Sequence, residues 1–211
     1  MNIPDNALYF ITDSSSFSEN EFLYRVEEAL KGGVDIVQLR EKEKSTREYI
    51  DLANKLHEIT KQYGVPLIID DRVDVALASG AEGVHLGRDD MDVAIARKIL
   101  GNNKIIGATA KTVSAAQEAF QKGADYLGVG AIFPTTTKVK TIITSVTTLG
   151  DICSAVKIPV FAIGGLNKDN ISVLKGIDIS GICVVSAIMK ADMVQNAAVE
   201  LKDAFKKQNE Y

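Results

Sequence analysis

The sequence is short of the residues that usually announce a chemistry. It holds two cysteines, Cys153 and Cys183, in 211 residues. Their separation matches no zinc spacing, and they read as reduced thiols of a cytosolic protein rather than a disulfide framework. The two histidines, His57 and His85, have no carboxylate, serine or cysteine partner at a recognisable spacing, so both read as packing residues. No nucleophile elbow, P-loop or zinc motif occurs. A basic excess is also missing: 24 Lys and Arg against 28 Asp and Glu leave a net charge of −4. That argues against a general nucleic-acid binder and leaves room for a local basic pocket around a small phosphorylated ligand. No run approaches the roughly 18 apolar residues of a membrane span, and Met1 to Phe10 lack a basic segment followed by a long apolar one. The expectation is a cytoplasmic protein without a membrane or nucleic-acid partner. A homo-oligomer is compatible with the sequence, which does not fix the assembly state.

What is present is a rhythm. Short runs rich in Val, Ile and Leu read as strands buried on both faces: Ala7 to Thr12, Asp35 to Arg40, Pro66 to Asp70, Gly83 to Gly87, Lys104 to Thr109, Tyr126 to Ile132, Pro159 to Gly164 and Gly181 to Ser186. Helical patterns lie between them, at Glu21 to Lys31, Thr46 to Tyr63, Val113 to Lys122 and Val194 to Lys207. Ser45, with Glu48 three residues on, resembles a capping box, and Gly123 suits a helix end. The spacing of about 26 residues per unit suits βα crossovers and a parallel sheet. Eight such units make a single (β/α)8 TIM barrel spanning residues 1–211 as one domain. An internal repeat agrees: Gly33-Val34-Asp35, Gly80-Ala81-Glu82, Gly123-Ala124-Asp125 and Gly176-Ile177-Asp178 each lead from a helix into an even-numbered strand.

In such a barrel the chemistry gathers at the C-terminal strand ends. After the second strand, alternation sends Gln38, Arg40 and Lys42 to the mouth and turns Leu39 and Glu41 toward the helix layer or rim. Arg offers a planar fork to phosphate and Lys a mobile charge; the alternative is a solvated charge run. After the third and fourth strands come Asp70, Asp71, Asp89 and Asp90. Asp71 and Asp90 are candidates to hold Mg²⁺, which takes one or two carboxylates plus phosphate oxygens and water; the alternative is that Asp89 or Asp90 caps a helix starting near Met91. Thr109 ends the fifth strand. Pro134-Thr135-Thr136-Thr137-Lys138 follows the sixth and has an anion-binding composition. Gly164-Gly165 and Ser186 follow the seventh and eighth, where phosphate sites of these barrels form.

Taken in order, Gln38-Leu39-Arg40-Glu41-Lys42, Ile69 to Ala78 with its Asp70-Asp71-Arg72, Gly83-Val84-His85-Leu86-Gly87 with Asp89-Asp90, Ala124 to Gly130, Phe133 to Lys138, Ala162 to Gly165 and Val184 to Ile188 resemble the thiamine-phosphate synthase family. Any one stretch is weak; the ordered set is specific. The resemblance implies a Mg²⁺-dependent transferase. It would condense a hydroxymethylpyrimidine diphosphate with a thiazole phosphate, giving thiamine phosphate and pyrophosphate by a dissociative path. It implies a pyrimidine-diphosphate site of Gln38, Leu39, Arg40, Glu41, Lys42, Asp70, Thr109 and Lys138, with Arg40, Lys42 and Lys138 as the catalytic cations. It implies a thiazole-phosphate site of Thr135, Thr136, Thr137, Gly165, Val185 and Ser186, and a metal site of Asp71 and Asp90. The chain departs from the family pattern at Asp70, where Asn is usual, at Thr109, where Ser is usual, and along Val139 to Thr148, which is β-branched and irregular. The competing readings are a thiazole tautomerase-like isomerase, which would need no diphosphate, and a non-catalytic thiamine-phosphate-binding barrel.

Overall fold

The eight apolar runs become eight parallel strands: β1 (Ala7–Ile11), β2 (Ile36–Leu39), β3 (Leu67–Asp70), β4 (Gly83–Leu86), β5 (Ile105–Ala110), β6 (Tyr126–Gly130), β7 (Val160–Ile163) and β8 (Gly181–Val184). Each pairs with the next, and β8 closes on β1. The helices are α1 (Glu19–Lys31), α2 (Thr46–Gln62), α3 (Val73–Ala78), α4 (Val93–Leu100), α5 (Val113–Gln121), α6 (Val146–Ala155), α7 (Ser186–Met189) and α8 (Val194–Asn209). The (β/α)8 barrel is therefore as expected. The structure, a computed structural model, describes residues 4, 6–135 and 142–209.

Most observed strands are a residue or two shorter than the apolar runs. Gly87, Ile132, Gly164 and Ser186 lie beyond the last residue of their strands; Gly87, Gly164 and Ser186 line the mouth, and Ile132 is buried in the outer core. Four helices had no clear pattern in the sequence, among them the single turn of α7. α3 and α4 are short, and α6 begins inside the stretch read as irregular, where the Ser145 side chain accepts from Thr148 N. The α2 capping box is present as expected. Asp92, rather than Asp89 or Asp90, caps α4, accepting from Ala94 N and Ile95 N. That removes the capping explanation for the Asp89-Asp90 pair. Among the described residues no helix is long and apolar enough to cross a membrane.

Alternation divides the strands between two cores. Leu8, Phe10, Val37, Leu39, Leu67 and Ile69 pack outward against the helices. Tyr9, Ile36, Ile68, Tyr126, Phe161 and Cys183 fill the barrel. The rings of Tyr9, Tyr126 and Phe161 meet edge to face, with centroids 5.4 to 5.8 Å apart, a favoured arrangement of ring quadrupoles. Such large rings fit because neighbouring strands supply glycine. A Cβ on Gly107 would lie 2.1 Å from the Tyr126 ring, and one on Gly181 would lie 2.8 Å from Phe161.

The repeat also has a structural cause. Gly33, Gly80 and Gly123 take positive φ, of 89°, 70° and 95°, which glycine adopts without steric cost. The acid two residues later then reaches the preceding strand: Asp35 accepts from Leu8 N at 2.8 Å, Glu82 from Leu67 N at 2.8 Å and Asp125 from Ile106 N at 2.7 Å. These carboxylates stitch the N-terminal end of the barrel. The fourth copy differs. A 3₁₀ turn (Ile171–Leu174) precedes it, and Asp178 is exposed and falls three residues ahead of β8.

Candidate active site

A cavity of about 360 Å³ opens at the C-terminal end of the barrel, within the size range of small-ligand sites. A smaller groove, about 220 Å³, lies on the helix layer beside Tyr24 and Met193, away from the strand ends.

Gln38, Arg40 and Lys42 all line the mouth cavity. Leu39 and Glu41, which the resemblance placed in the pyrimidine site, do not. Leu39 is fully buried in the outer core, and Glu41 turns its carboxylate to Ser14 Oγ, which donates at 2.9 Å. Alternation accounts for both. Burial raises the pKa of Glu41, and its Oε1 has no hydrogen-bond partner.

Lys42 Nζ donates to Asp70 Oδ2 at 2.8 Å and contacts Asp71 Oδ2, and Arg40 Nε lies 3.8 Å from Asp70 Oδ2. Burial lifts the Asp70 carboxyl to about 6, helped by the charge of Asp71. The nearby cations oppose that rise but do not cancel it. Lys42 shows the other side of the pair: burial works against its charge, yet Asp70 and Asp71 together raise its pKa. The pair thus favours the ammonium more than it favours the Asp70 carboxylate, because one buried acid must share it with another.

Asp71 takes a left-handed backbone, φ 63°, while its N–H donates to His85 O at 2.8 Å. An L-residue there is uncommon, and such residues concentrate at functional sites. Its carboxyl is hydrogen-bonded to that of Asp90. Burial and the Asp71 contact raise Asp90; at Asp71 burial is outweighed by bonds from Lys42 and Asp90, and its pKa falls. The contact thus acts in opposite directions on the two acids, lowering Asp71 and raising Asp90. Asp90 also accepts from Gly87 N at 2.6 Å. Among the described residues no group of three or more His, Cys, Asp or Glu could hold a metal.

Across the cavity lie Thr135, Gly164, Gly165, Val185 and Ser186. Gly164 and Gly165 have φ of 105° and 66°, and a Cβ on either would strike backbone, at 2.5 Å from Ala131 Cα or 2.7 Å from Pro134 O. Only glycine fits here, and it leaves the chain bare toward the cavity. Thr136, Thr137 and Lys138 lie outside the described residues.

Three basic lining residues escaped the sequence reading, His85, Arg88 and Lys111. His57 is a core residue as expected, bonded to Ser79 O and Glu82. His85, expected to pack, lines the cavity instead and is hydrogen-bonded to Thr109 Oγ1 at 3.0 Å and Tyr126 OH at 3.1 Å. Burial pushes its pKa down to about 4, so the ring is neutral near pH 7. Arg88 and Lys111 also line the mouth. Lys111 was open to prediction, since alternation from Thr109 sends it inward. Arg72 leaves the mouth and pairs with Asp74 on α3.

The chain matches the family model described as thiamine monophosphate synthase over residues 8–188. It is 53% identical over 188 residues to thiamine-phosphate synthase 2 of Streptococcus pneumoniae, covering 89% of this chain and 90% of that one. It is 52% identical to the thiamine-phosphate synthase of Enterococcus faecalis, covering 89% and 88%. Its fold is similar to that of a thiamine phosphate pyrophosphorylase from Pyrococcus furiosus, with a TM-score of 0.87, 42% identity and 96% of each chain covered.

Proposed function

The chain belongs to the thiamine monophosphate synthase family, and from that premise we propose how its mouth residues carry out the transfer. The enzyme is a transferase that forms thiamine phosphate, from a phosphorylated pyrimidine and a phosphorylated thiazole. The C–O bond between the pyrimidine methylene and its diphosphate breaks ahead of attack, the diphosphate leaves with the bonding pair, and the thiazole ring nitrogen closes on the carbon. That nitrogen carries no proton, so the step needs no strong base, in keeping with a neutral His85 and no activated nucleophile among the described lining residues.

Arg40 and Lys42 bind the departing diphosphate, on which negative charge grows. Cations set where that charge develops act most in the transition state, which is what lowers the barrier. Lys138 joins them on the family's pattern, as do Thr136 and Thr137 beside Thr135 in the thiazole-phosphate site. Gly165, Val185 and Ser186 receive the thiazole phosphate. Gln38, Asp70 and Thr109 orient the pyrimidine.

Asp71 and Asp90 suit Mg²⁺. Two neighbouring carboxyl groups offer hard oxygen donors, and this cation completes its shell with phosphate oxygens and water. Bound there, Mg²⁺ would neutralise charge on the leaving diphosphate. The observation that carries this reading is one cavity holding both the Asp71–Asp90 pair and the Arg40–Lys42 pair, with the bare Gly164-Gly165 backbone across from them. A cytoplasmic setting is part of the proposal, supported by two free thiols.

The test is incubation of the protein with both substrates and Mg²⁺. Thiamine phosphate and pyrophosphate should form in equal amounts. Substrates recovered unchanged, or thiazole isomerised without pyrophosphate release, would refute the reading.

A further inference from the structure

A chain of hydrogen bonds runs under the cavity floor and ties one lining strand to another. Gln38 Nε2 donates to Tyr9 OH at 2.8 Å, Tyr9 OH lies 2.7 Å from Tyr126 OH, and His85 joins Tyr126 to Thr109. Both tyrosines are buried, and burial keeps their hydroxyls protonated. Each hydroxyl has one proton to give, so the order is set from the amide end. Tyr9 accepts from Gln38 and gives its proton to Tyr126. Tyr126 gives its own to His85 Nδ1. With the amide nitrogen of Gln38 facing Tyr9, any other order leaves a buried O–H without an acceptor, at a cost of about 1–3 kcal/mol.

A neutral imidazole that accepts at Nδ1 carries its proton on Nε2. We propose that His85 is a positioning residue: as the Nε2–H tautomer it donates to Thr109, which leaves the Thr109 hydroxyl proton free to point into the cavity, while Gln38 presents its amide oxygen as an acceptor. The ligand edge this arrangement fits carries a donor beside an acceptor, as an aminopyrimidine does. The reversed amide would reverse every link, giving His85 an Nδ1 proton and Thr109 no proton to offer. Packing supports a built device. A Cβ on Gly107 would collide with Tyr126, and one on Gly128 would crowd His85 Cε1 at 3.2 Å. The choice of aminopyrimidine rests on the function proposed above; the polarity of the chain does not.

The experiment therefore has two arms. Long-range ¹H–¹⁵N correlation on the ligand-free, ¹⁵N-histidine-labelled protein reads the tautomer without any substrate. His85 should show a proton on Nε2 and none on Nδ1, and Tyr126→Phe should shift the ring toward the Nδ1–H form. A protonated Nδ1 in the unmutated protein would overturn the proposal whether or not the protein turns over. The kinetic arm compares His85→Asn, whose amide reaches only the Nδ1 position, with His85→Gln, whose amide nitrogen reaches the Nε2 position. His85→Asn should lower kcat/KM for the pyrimidine diphosphate at least about tenfold, with KM for the thiazole phosphate within about twofold, and His85→Gln should recover most of the loss. Equal damage to both substrates, or no recovery in His85→Gln, would reduce His85 to a packing residue.

Discussion

At the N-terminal end of the barrel, Asp35, Glu82 and Asp125 each hold one backbone N–H and one side-chain partner: Lys202, His57 and Arg97. At the C-terminal end, the side chains of Asp70 and Asp71 hold no backbone N–H among the described residues and share Lys42, while the Asp71 carboxyl is hydrogen-bonded to that of Asp90. All are carboxylic acids; Asp90 aside, Asp70 is the most buried of them and Asp125 the most exposed. The difference is how many partners each carboxylate has to itself. Where every acid is satisfied, it serves the fold. Where acids outnumber their partners, the site keeps charge that a cation or a phosphorylated ligand can reorganise.

The contrast can be broken most severely at Asp71. Asp71→Ala should lower turnover by about 10³-fold, roughly 4 kcal/mol of barrier, with the loss partly recovered by raised Mg²⁺. Steady-state rates over a Mg²⁺ series test this, and unaltered turnover would remove Asp71 from the metal site. Asp70 comes next. Its folded-state pKa lies at about 6, above an unfolded value near 4, so the native state binds the extra proton between those values. Stability should fall as pH rises through that window, by up to about 3 kcal/mol, and level off above it. Asp70→Asn should flatten the slope. Urea unfolding in metal-free buffer from pH 4 to 7 gives the answer, and an unchanged slope would show that Asp70 is not its source.

At the other end the effects move to stability alone. Asp125→Ala strips partners from Ile106 N and Arg97 and should cost about 2 kcal/mol, with kcat/KM within about threefold; a catalytic loss larger than the stability loss would dissolve the division between the ends. Asp178→Ala, in the copy of the repeat that is exposed ahead of β8, should stay within about 0.5 kcal/mol. A thermal or urea midpoint that moves as far as that of Asp125→Ala would show that the fourth copy is also stitched.

Much of the mouth was open to reading because alternation is local. Gln38, Arg40 and Lys42 share a face by backbone geometry alone, and the same rule turned Leu39 and Glu41 away even though the family pattern carries the whole stretch. His85 was missed because its partners are distant in sequence: Thr109 follows on β5 and Tyr126 on β6. A histidine with no nearby partner in the chain looks like packing until the barrel closes. The helix cap was missed by two residues, since Asp89, Asp90 and Asp92 are chemically equivalent candidates and only the helix start selects among them.

By itself the sequence determined the strand rhythm, the glycine-acid turns and the charges waiting at strand ends, because each depends on φ/ψ preference and side-chain period within a few residues. Tertiary structure alone decided which acids meet. The register of β3 on β4, with Asp70 opposite His85, brings Asp71 to Asp90, and their unequal hydrogen bonds then move their pKa values in opposite directions. Proximity across strands and loss of water are properties of the closed barrel, and no local pattern encodes them.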